Sequence, residues 1–547
     1  MSTVVCDGKQ SPLILGRTIF DYADEMAIMV PTSCRRAGRC HECVVEIQQG
    51  MESLSSLTSS ESFLRGDFRL ACQAKIESDK LNISFLPLRR RPKILTVSSS
   101  NRTGEIDFAV KRHGKTVTLD SVPIDDFRGH ILGIALDLGT TTVVFDLVDL
   151  EDGEILHRSA FENPQRFGGS DVMNRITYDA GDESRELRRS VINAINGETA
   201  ALSKRLRFRR QEIYEIVVAG NSTMRELFFG LDVQSIGQRP YKSVVELDYH
   251  AGRRAVTALE ADAIDLGIVA NRKARVYGLP ILASHVGGDV AADLLALNML
   301  TPTPEAKMLI DVGTNTEVVV TIGDRIVCAS CPAGPAFEGG GVRFGMPGYD
   351  GAIESISVDD TGSALSYRTI GDVIPVGMCG SGLIDLLAGL RRNKVMGPKG
   401  TFDRSPNNRD LCVVPEFEIT LSREDASNLA QAKAANYCGQ FFVLRNCDLN
   451  PTDISWCYLA GGFANYVDIR NAVEIGFLAP VSKDSLVKAG NASLTGAREA
   501  LVSVEKRRRI ESIVTRIEHI ELETMPDFFD VFVEGCQFKP MPESVHS

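Results

Sequence analysis

The stretch Ser33–Cys43, SCRRAGRCHEC, sets Cys34, Cys40 and Cys43 around Ala37, Gly38 and three arginines. A fourth thiol, Cys72 in RLACQAKI, follows after 28 intervening residues. Four thiols so grouped can close disulfides, hold a zinc ion, hold an iron–sulfur cluster, or remain ligand-free buried side chains. A second set of reactive residue types is written twice. GIALDLGTTTVVFDLVD (133–149) and KMLIDVGTNTEVVVTIGD (307–324) both carry Asp-x-Gly-Thr-x-Thr between two apolar runs. Gly139 and Gly313 let the backbone turn sharply and approach a ligand closely. The hydroxyls of Thr140, Thr141, Thr142, Thr314 and Thr316, with the turn N–H groups that include Asn315, can donate to phosphate oxygens. Asp137 and Asp311, each at the end of an apolar strand, are suited to a hydrated divalent cation such as Mg²⁺ beside those phosphates.

Several other turns have the shape that a nucleotide site needs. VGMCGSGLIDLLAGL sets Gly380, Ser381 and Gly382 before an amphipathic helix, whose N-terminus favours anions. WCYLAGGFANYVDI ends an apolar run at Gly461 and Gly462, where backbone could lie flat against a base. SHVGGDVAADLLAL sets Asp289 at a helix start, and VVAGNSTMRELFFG caps a helix with Asn221, Ser222 and Thr223. Each alone is an ordinary turn-to-helix junction. There is no Gly-x4-Gly-Lys-Ser/Thr and no Gly-x-Gly-x-x-Gly after a strand, so neither a P-loop nor a dinucleotide fold is expected.

The elements that must position these groups follow from the hydrophobic pattern. At 547 residues the chain exceeds one ordinary core. Residues 1–90 carry short β-rich runs between turns, as a small β-rich domain would. Residues 91–130 read as a linker with one hairpin. From 131 onward apolar strands alternate with helical patterns, which indicates an α/β architecture. Asp137 and Asp311 lie 174 positions apart, so a duplicated lobe of about that size is expected, one at 131–304 and one at 305–547 with C-terminal elements.

The net charge of −12 argues against a nucleic-acid partner. The basic run RRRPK (89–93) reads as a solvated linker. No apolar run approaches the ~18 residues that span a membrane, and no signal peptide is legible. A cytoplasmic location is expected, where structural disulfides are rare.

The cysteine spacing is Cys-x5-Cys-x2-Cys with a distant fourth Cys. Plant-type [2Fe–2S] ferredoxins use Cys-x4-Cys-x2-Cys and a distant fourth, so the first gap here is one residue longer. Zinc usually takes paired Cys knuckles or His; here Cys72 stands alone and His41 has no matching partner. A [2Fe–2S] cluster on Cys34, Cys40, Cys43 and Cys72 is the preferred reading, with zinc and ligand-free thiols as alternatives. The other nine cysteines mostly sit in apolar runs and read as buried hydrophobes. Cys328, Cys331 and Cys379 lie near the expected cleft, and a ligand role for them stays open.

On these motifs the chain resembles the acetate and sugar kinase/Hsp70/actin superfamily. Asp137–Thr142 matches its first phosphate motif, Asp311–Thr316 its second, and Ala460–Phe463 its adenosine motif. The resemblance implies two ribonuclease-H-like lobes closing on ATP, behind an N-terminal β-grasp ferredoxin-like domain. With ENPQRFGGSDVMNRI (162–176), PAGPAFEGGGVRFGMPGYDGAIE (332–354) and AGGFANYVDIRNAVEIGFLAP (460–480), the whole chain resembles the reductive activators of corrinoid-dependent enzymes.

That resemblance implies an ATP-hydrolysing electron-transfer protein that returns Co(II) corrinoid to Co(I). Plant-type clusters sit at about −400 mV, so an acceptor as hard to reduce as Co(II) corrinoid gives ATP a purpose. It further implies Mg²⁺ at Asp137 and Asp311, and a water oriented by Asp289 or Glu317. The partners would be a corrinoid protein or corrinoid methyltransferase and an upstream electron donor. Members of that family carry a further domain, associated with dimerisation, between ferredoxin and ATPase. About 40 residues separate the two parts here, which leaves a homodimer open rather than expected. Rival readings are a small-molecule kinase with a redox-sensing ferredoxin appendage, an activator of a radical dehydratase, and a scaffold without hydrolysis.

Overall fold

Residues 2–88, 106–182, 184–402, 410–462 and 464–546 are described by a computed structural model. The basic run at 89–93 and Phe463 of the expected adenosine motif lie outside the described residues.

The N-terminal sheet has strand order Lys9–Pro12, Thr3–Cys6, Ile83–Pro87, Val44–Gln49, Phe68–Leu70. Thr3–Cys6 and Ile83–Pro87 run parallel, and the other neighbours are antiparallel. This is the β-grasp arrangement. Helix Ile19–Glu25 is started by a Thr18–Asp21 capping box and lays Ile19, Phe20, Tyr22 and Ala23 into the core. The cysteine loop leaves that layer and enters the strand Val44–Gln49, while Cys72 follows Phe68–Leu70. Val44 pairs with Leu70, so Cys43 and Cys72 meet at one end of these two strands.

The segment read as a linker with one hairpin holds a three-stranded antiparallel meander, Val110–His113, Thr116–Leu119 and Val122–Asp126. The third strand was missed because Pro123 and its acidic neighbours mask the β pattern. The meander is tied to the next domain: Asp125 Oδ2 accepts from Tyr214 Oη at 3.1 Å and Asn271 Nδ2 at 2.7 Å.

Two six-stranded sheets follow. The first runs Ile155–Glu162, Thr142–Asp149, Leu132–Leu138, Ile213–Ala219, Arg275–Gly278, Leu259–Asp262. The second repeats that order for five strands: Arg325–Cys331, Thr316–Gly323, Thr303–Val312, Trp456–Ala460, Leu486–Gly490, with Ile517–His519 beside Arg325–Cys331. In each, the antiparallel strands before and after the Asp-x-Gly-Thr turn pair residue by residue, and the first of them runs parallel to a later strand. These inner strands are buried on both faces, which is why they read as continuous apolar runs.

The chain crosses back over the expected division at 304/305 near its C-terminal end. Helix Ala492–Val502 packs against helix Gly288–Ala296 and strands Leu132–Leu138 and Ile213–Ala219 of the first lobe. The crossing is close because Gly496 has no side chain: a Cβ there would meet the Ala292 carbonyl oxygen at 1.9 Å. Helix Val504–Ile513 then locks on through Arg507, whose Nη1 lies 2.6 Å from the buried Glu215 Oε1. Residues 491–513 thus belong to the first lobe by packing. A linear reading cannot see this, since the chain crosses back only after building the second sheet.

Candidate nucleotide cleft and cysteine loop

The two Asp-x-Gly-Thr turns face each other across a cleft between the lobes. Fifteen of the seventeen residues expected there line it: Asp137, Gly139, Thr140, Thr141, Thr142, Asp289, Asp311, Gly313, Thr314, Asn315, Glu317, Gly380, Ser381, Gly461 and Gly462. Thr316 and Gly382 do not. Thr316 is 1% exposed and paired with Cys331 inside the sheet. Gly382 lets helix Gly380–Arg392 sit on a neighbouring strand, since a Cβ would meet the Ile353 oxygen at 2.2 Å. Cys379 lines the cleft, whereas Cys328 and Cys331 are buried in the second sheet.

The cleft also takes in residues that the motifs do not point to, among them Asp293, Glu338, Asn491 and Ser493. Asp293 lies one helical turn after Asp289 on Gly288–Ala296, a spacing that puts both on one face. That spacing was the available signal. Asn491 and Ser493 arrive with the returning helix. Asn491 Nδ2 donates to Asp137 Oδ2 at 2.7 Å and Ser493 Oγ to Oδ1 at 3.0 Å. Glu338 Oε2 accepts from Thr141 Oγ1 and Thr314 Oγ1, one hydroxyl from each turn.

The cleft concentrates carboxyl groups, and of these Glu338 has a basic neighbour, Arg175. Burial pushes Asp137 up to about 6 and Asp311 up to about 6. Burial, and then the Asp311 charge, take Asp289 to about 7. Burial also holds Asp293, Glu317 and Glu338 above the ordinary carboxylate range. Asp293 is fully buried, and the side chain it faces is another carboxyl, that of Asp311. Such a set costs free energy to charge unless a cation joins it.

The cysteines form two pairs. Cys43 Sγ donates to Cys72 Sγ at 3.4 Å, and Cys40 hydrogen-bonds Cys34 through both its backbone and its side chain. Burial would raise the Cys34 thiol, but the N–H groups of Cys40, Arg39 and Ala37 outweigh it and bring it down to about 7. Cys72 is lowered to about 6 by Cys43, against burial, with the Gln73 side chain and the Gly38 N–H assisting. Arg35, Arg36, Gly38 and His41 all have positive φ, and this curled backbone aims its N–H groups at the sulfurs. Two thiol pairs ringed by donors fit a binuclear cluster, which takes two ligands per iron. Of the other nine cysteines, seven are buried as expected, while Cys412 is exposed and Cys536 half-buried.

The fold and the two sites define a class: a [2Fe–2S] ferredoxin domain joined to an actin-like, two-lobed nucleotide-binding domain. Residues 7–77 match the 2Fe-2S iron-sulfur cluster binding domain, 132–301 the RACo middle region, and 305–545 the C-terminal domain of RACo, the ASKHA domain. Across 95% of this chain and 96% of the relative, it is 31% identical to the corrinoid activation enzyme RamQ of Eubacterium limosum. A [Co(II) methylated amine-specific corrinoid protein] reductase of Methanosarcina barkeri is 25% identical, over 73% of this chain and 76% of its own. Among solved structures, a reductive activator for corrinoid, iron-sulfur protein superposes with a TM-score of 0.70 at 28% identity, covering 99% of both chains. The chain belongs to this family of corrinoid-protein reductive activators. Residues 106–130 and their meander stand between the two parts here. Among the described residues no helix is long and apolar enough to cross a membrane.

Proposed function

We propose that this protein uses ATP to drive one electron from a [2Fe–2S] cluster on Cys34, Cys40, Cys43 and Cys72 to the Co(II) of a corrinoid protein, giving Co(I). The observation that carries the reading is the union, in one chain, of two donor-ringed thiol pairs and a carboxylate-lined cleft between two Asp-x-Gly-Thr turns. The names of the full-length relatives supply the acceptor class.

The cluster supplies a one-electron couple, refilled by an upstream donor. Cys34 and Cys72, with lowered thiols, are the ready thiolate ligands. In the cleft, Thr140–Thr142 and Thr314 with Asn315 bind phosphate oxygens, and Gly461 and Gly462 leave a flat wall for the base. Asp137 and Asp311 would hold Mg²⁺, which would neutralise phosphate charge there. Mg²⁺ keeps several of its waters in sites of this kind. Asp137 is aimed by Asn491 and Ser493 of the returning helix, so closure of the second lobe's chain on the first sets the cation-binding carboxylate. Asp289 or Glu317, both buried in the cleft, would orient the attacking water. The protein is expected to work in the cytoplasm, and no nucleic acid is involved.

The test is anaerobic. The pre-reduced protein is mixed with a Co(II) corrinoid protein, and Co(I) absorbance is followed with and without Mg–ATP. Co(I) should accumulate with ATP. Equal formation without it would sink the coupled mechanism.

A further inference from the structure

The proposed function separates its electron source from its ATP cleft, and something must join them. The stretch ENPQRFGGSD (162–171) lies between the two. Its three-residue core, Asn163-Pro164-Gln165, grips the first phosphate turn from behind. Asn163 Nδ2 donates to the Gly139 carbonyl at 2.8 Å, and the Asn163 N–H to the Thr141 carbonyl at 2.8 Å. Arg175 Nη2 takes the carbonyl between them, Thr140, at 2.7 Å. All three consecutive carbonyls of the turn are thus held by this segment and the helix that follows it.

The other side of the same segment holds the ferredoxin domain. Gln165 Oε1 accepts from Arg175 Nη1 at 3.3 Å, while its Nε2 donates to the Leu187 carbonyl at 3.0 Å. Leu187 adjoins Glu186, whose Oε1 lies 3.0 Å from Nδ1 of His41, a close contact without hydrogen-bond alignment. His41 stands between Cys40 and Cys43. In parallel, Phe167 meets Phe63 edge-on at 5.5 Å, and Phe63 stacks on the His41 ring at 4.3 Å. Arg166 Nη2 binds Glu46 Oε2 at 2.9 Å, on the strand that begins directly after Cys43.

We propose that the segment Asn163–Phe167 with Arg175 is a positioning link that carries the state of the first phosphate turn to the cysteine loop. The physical ground is that Asn163, Gln165 and Arg175 are each 0% exposed. A buried donor that loses its acceptor finds no water to replace it. If phosphate binding turns the 139–142 backbone, Asn163 and Arg175 follow it, Gln165 follows Arg175, and the helix start at Glu186 shifts under His41. A contiguous path is only spatial until coupling is measured, so the test measures coupling.

The inference rests on nucleotide binding in the cleft and on the four-cysteine cluster. The cluster-loaded full chain is studied with and without the Mg complex of a non-hydrolysable ATP analogue. Hydrogen exchange of residues 33–46 and the EPR line shape of the reduced cluster are the readouts, and calorimetry gives nucleotide affinity. In the parent protein the nucleotide changes exchange in 33–46 by about fivefold or more, the lower range of measured couplings. Gln165→Leu abolishes that response while still binding nucleotide. Arg166→Ala, which removes the ion pair to Glu46 from a partly exposed position, reduces it. A response of the same size in both variants overturns the link, as does a parent loop that ignores bound nucleotide. Absence of nucleotide binding by calorimetry would overturn the cleft reading and the link with it.

Discussion

Thr141 and Thr314, one from each phosphate turn, donate to the same oxygen, Glu338 Oε2, at 2.9 and 2.8 Å. A carboxylate here satisfies both hydroxyls that the proposed function assigns to phosphate. A phosphate arriving between the turns meets Glu338 as a like charge, in a site where low dielectric strengthens the repulsion. Glu338→Gln keeps the volume and removes the charge. It should tighten binding of a non-hydrolysable ATP analogue on the order of tenfold, about 1.4 kcal/mol, measured by calorimetry at neutral pH. Unchanged or weaker binding would show that Glu338 leaves the site without cost or helps hold the nucleotide.

At Gly461, in the proposed wall for the base, the backbone has no room for a side chain. Its φ is +103, and a Cβ would lie 2.0 Å from the Val312 oxygen. Gly461→Ala should destabilise the second lobe by on the order of 3 kcal/mol through strain and overpacking. The thermal midpoint reports it. A midpoint within a degree of the parent would mean that this turn relaxes freely.

The carboxylates give the metal-free protein a pH signature. Asp137, Asp311 and Asp289 stand at about 6, about 6 and about 7, raised by burial above the unfolded value near 3.9. For acids with a raised folded pKa, the stabilising contribution is complete below the unfolded value and is lost as pH rises through the folded one. Without Mg²⁺ the midpoint should therefore fall between pH 5.5 and 8. Added Mg²⁺ should restore more at pH 8 than at pH 5.5, because it binds the deprotonated set. Equal Mg²⁺ increments at both pH values would contradict this account of the cluster of charges.

Cys72 separates the cluster from the buried thiols. Cys72→Ala should abolish the visible iron–sulfur absorbance while ATP hydrolysis persists. Cys6→Ala, at a buried thiol outside the loop, should keep the absorbance. Retention of the full spectrum in the Cys72 variant would remove Cys72 from the ligand set.

Much of the site was legible locally. The cysteine spacing and the repeated Asp-x-Gly-Thr turns are short-range patterns, so backbone geometry and ligand chemistry can be read from neighbours in sequence. Asp289 and its helix start were legible for the same reason, and Asp293 could have been found from its place one turn later. Glu338, Asn491 and Ser493 carried no such signal. Their roles depend on which turn or helix they meet, and Asn491 meets Asp137 from 354 residues away. Thr316 shows the converse: the motif repeats, but burial of its strand start takes the side chain off the cleft.

The chain by itself determined the element types, the duplicated lobe and the four thiols, because strand periodicity, turn chemistry and ligand spacing all act over a few residues. Only the tertiary structure decided that residues 491–513 return to the first lobe, that Glu338 sits between the two turns, and that Asn163, Gln165 and Arg175 back the phosphate turn against the cysteine loop. Those are packing decisions. They follow from filling a core closely and giving every buried donor an acceptor, conditions that the whole fold meets together and no short stretch of sequence encodes.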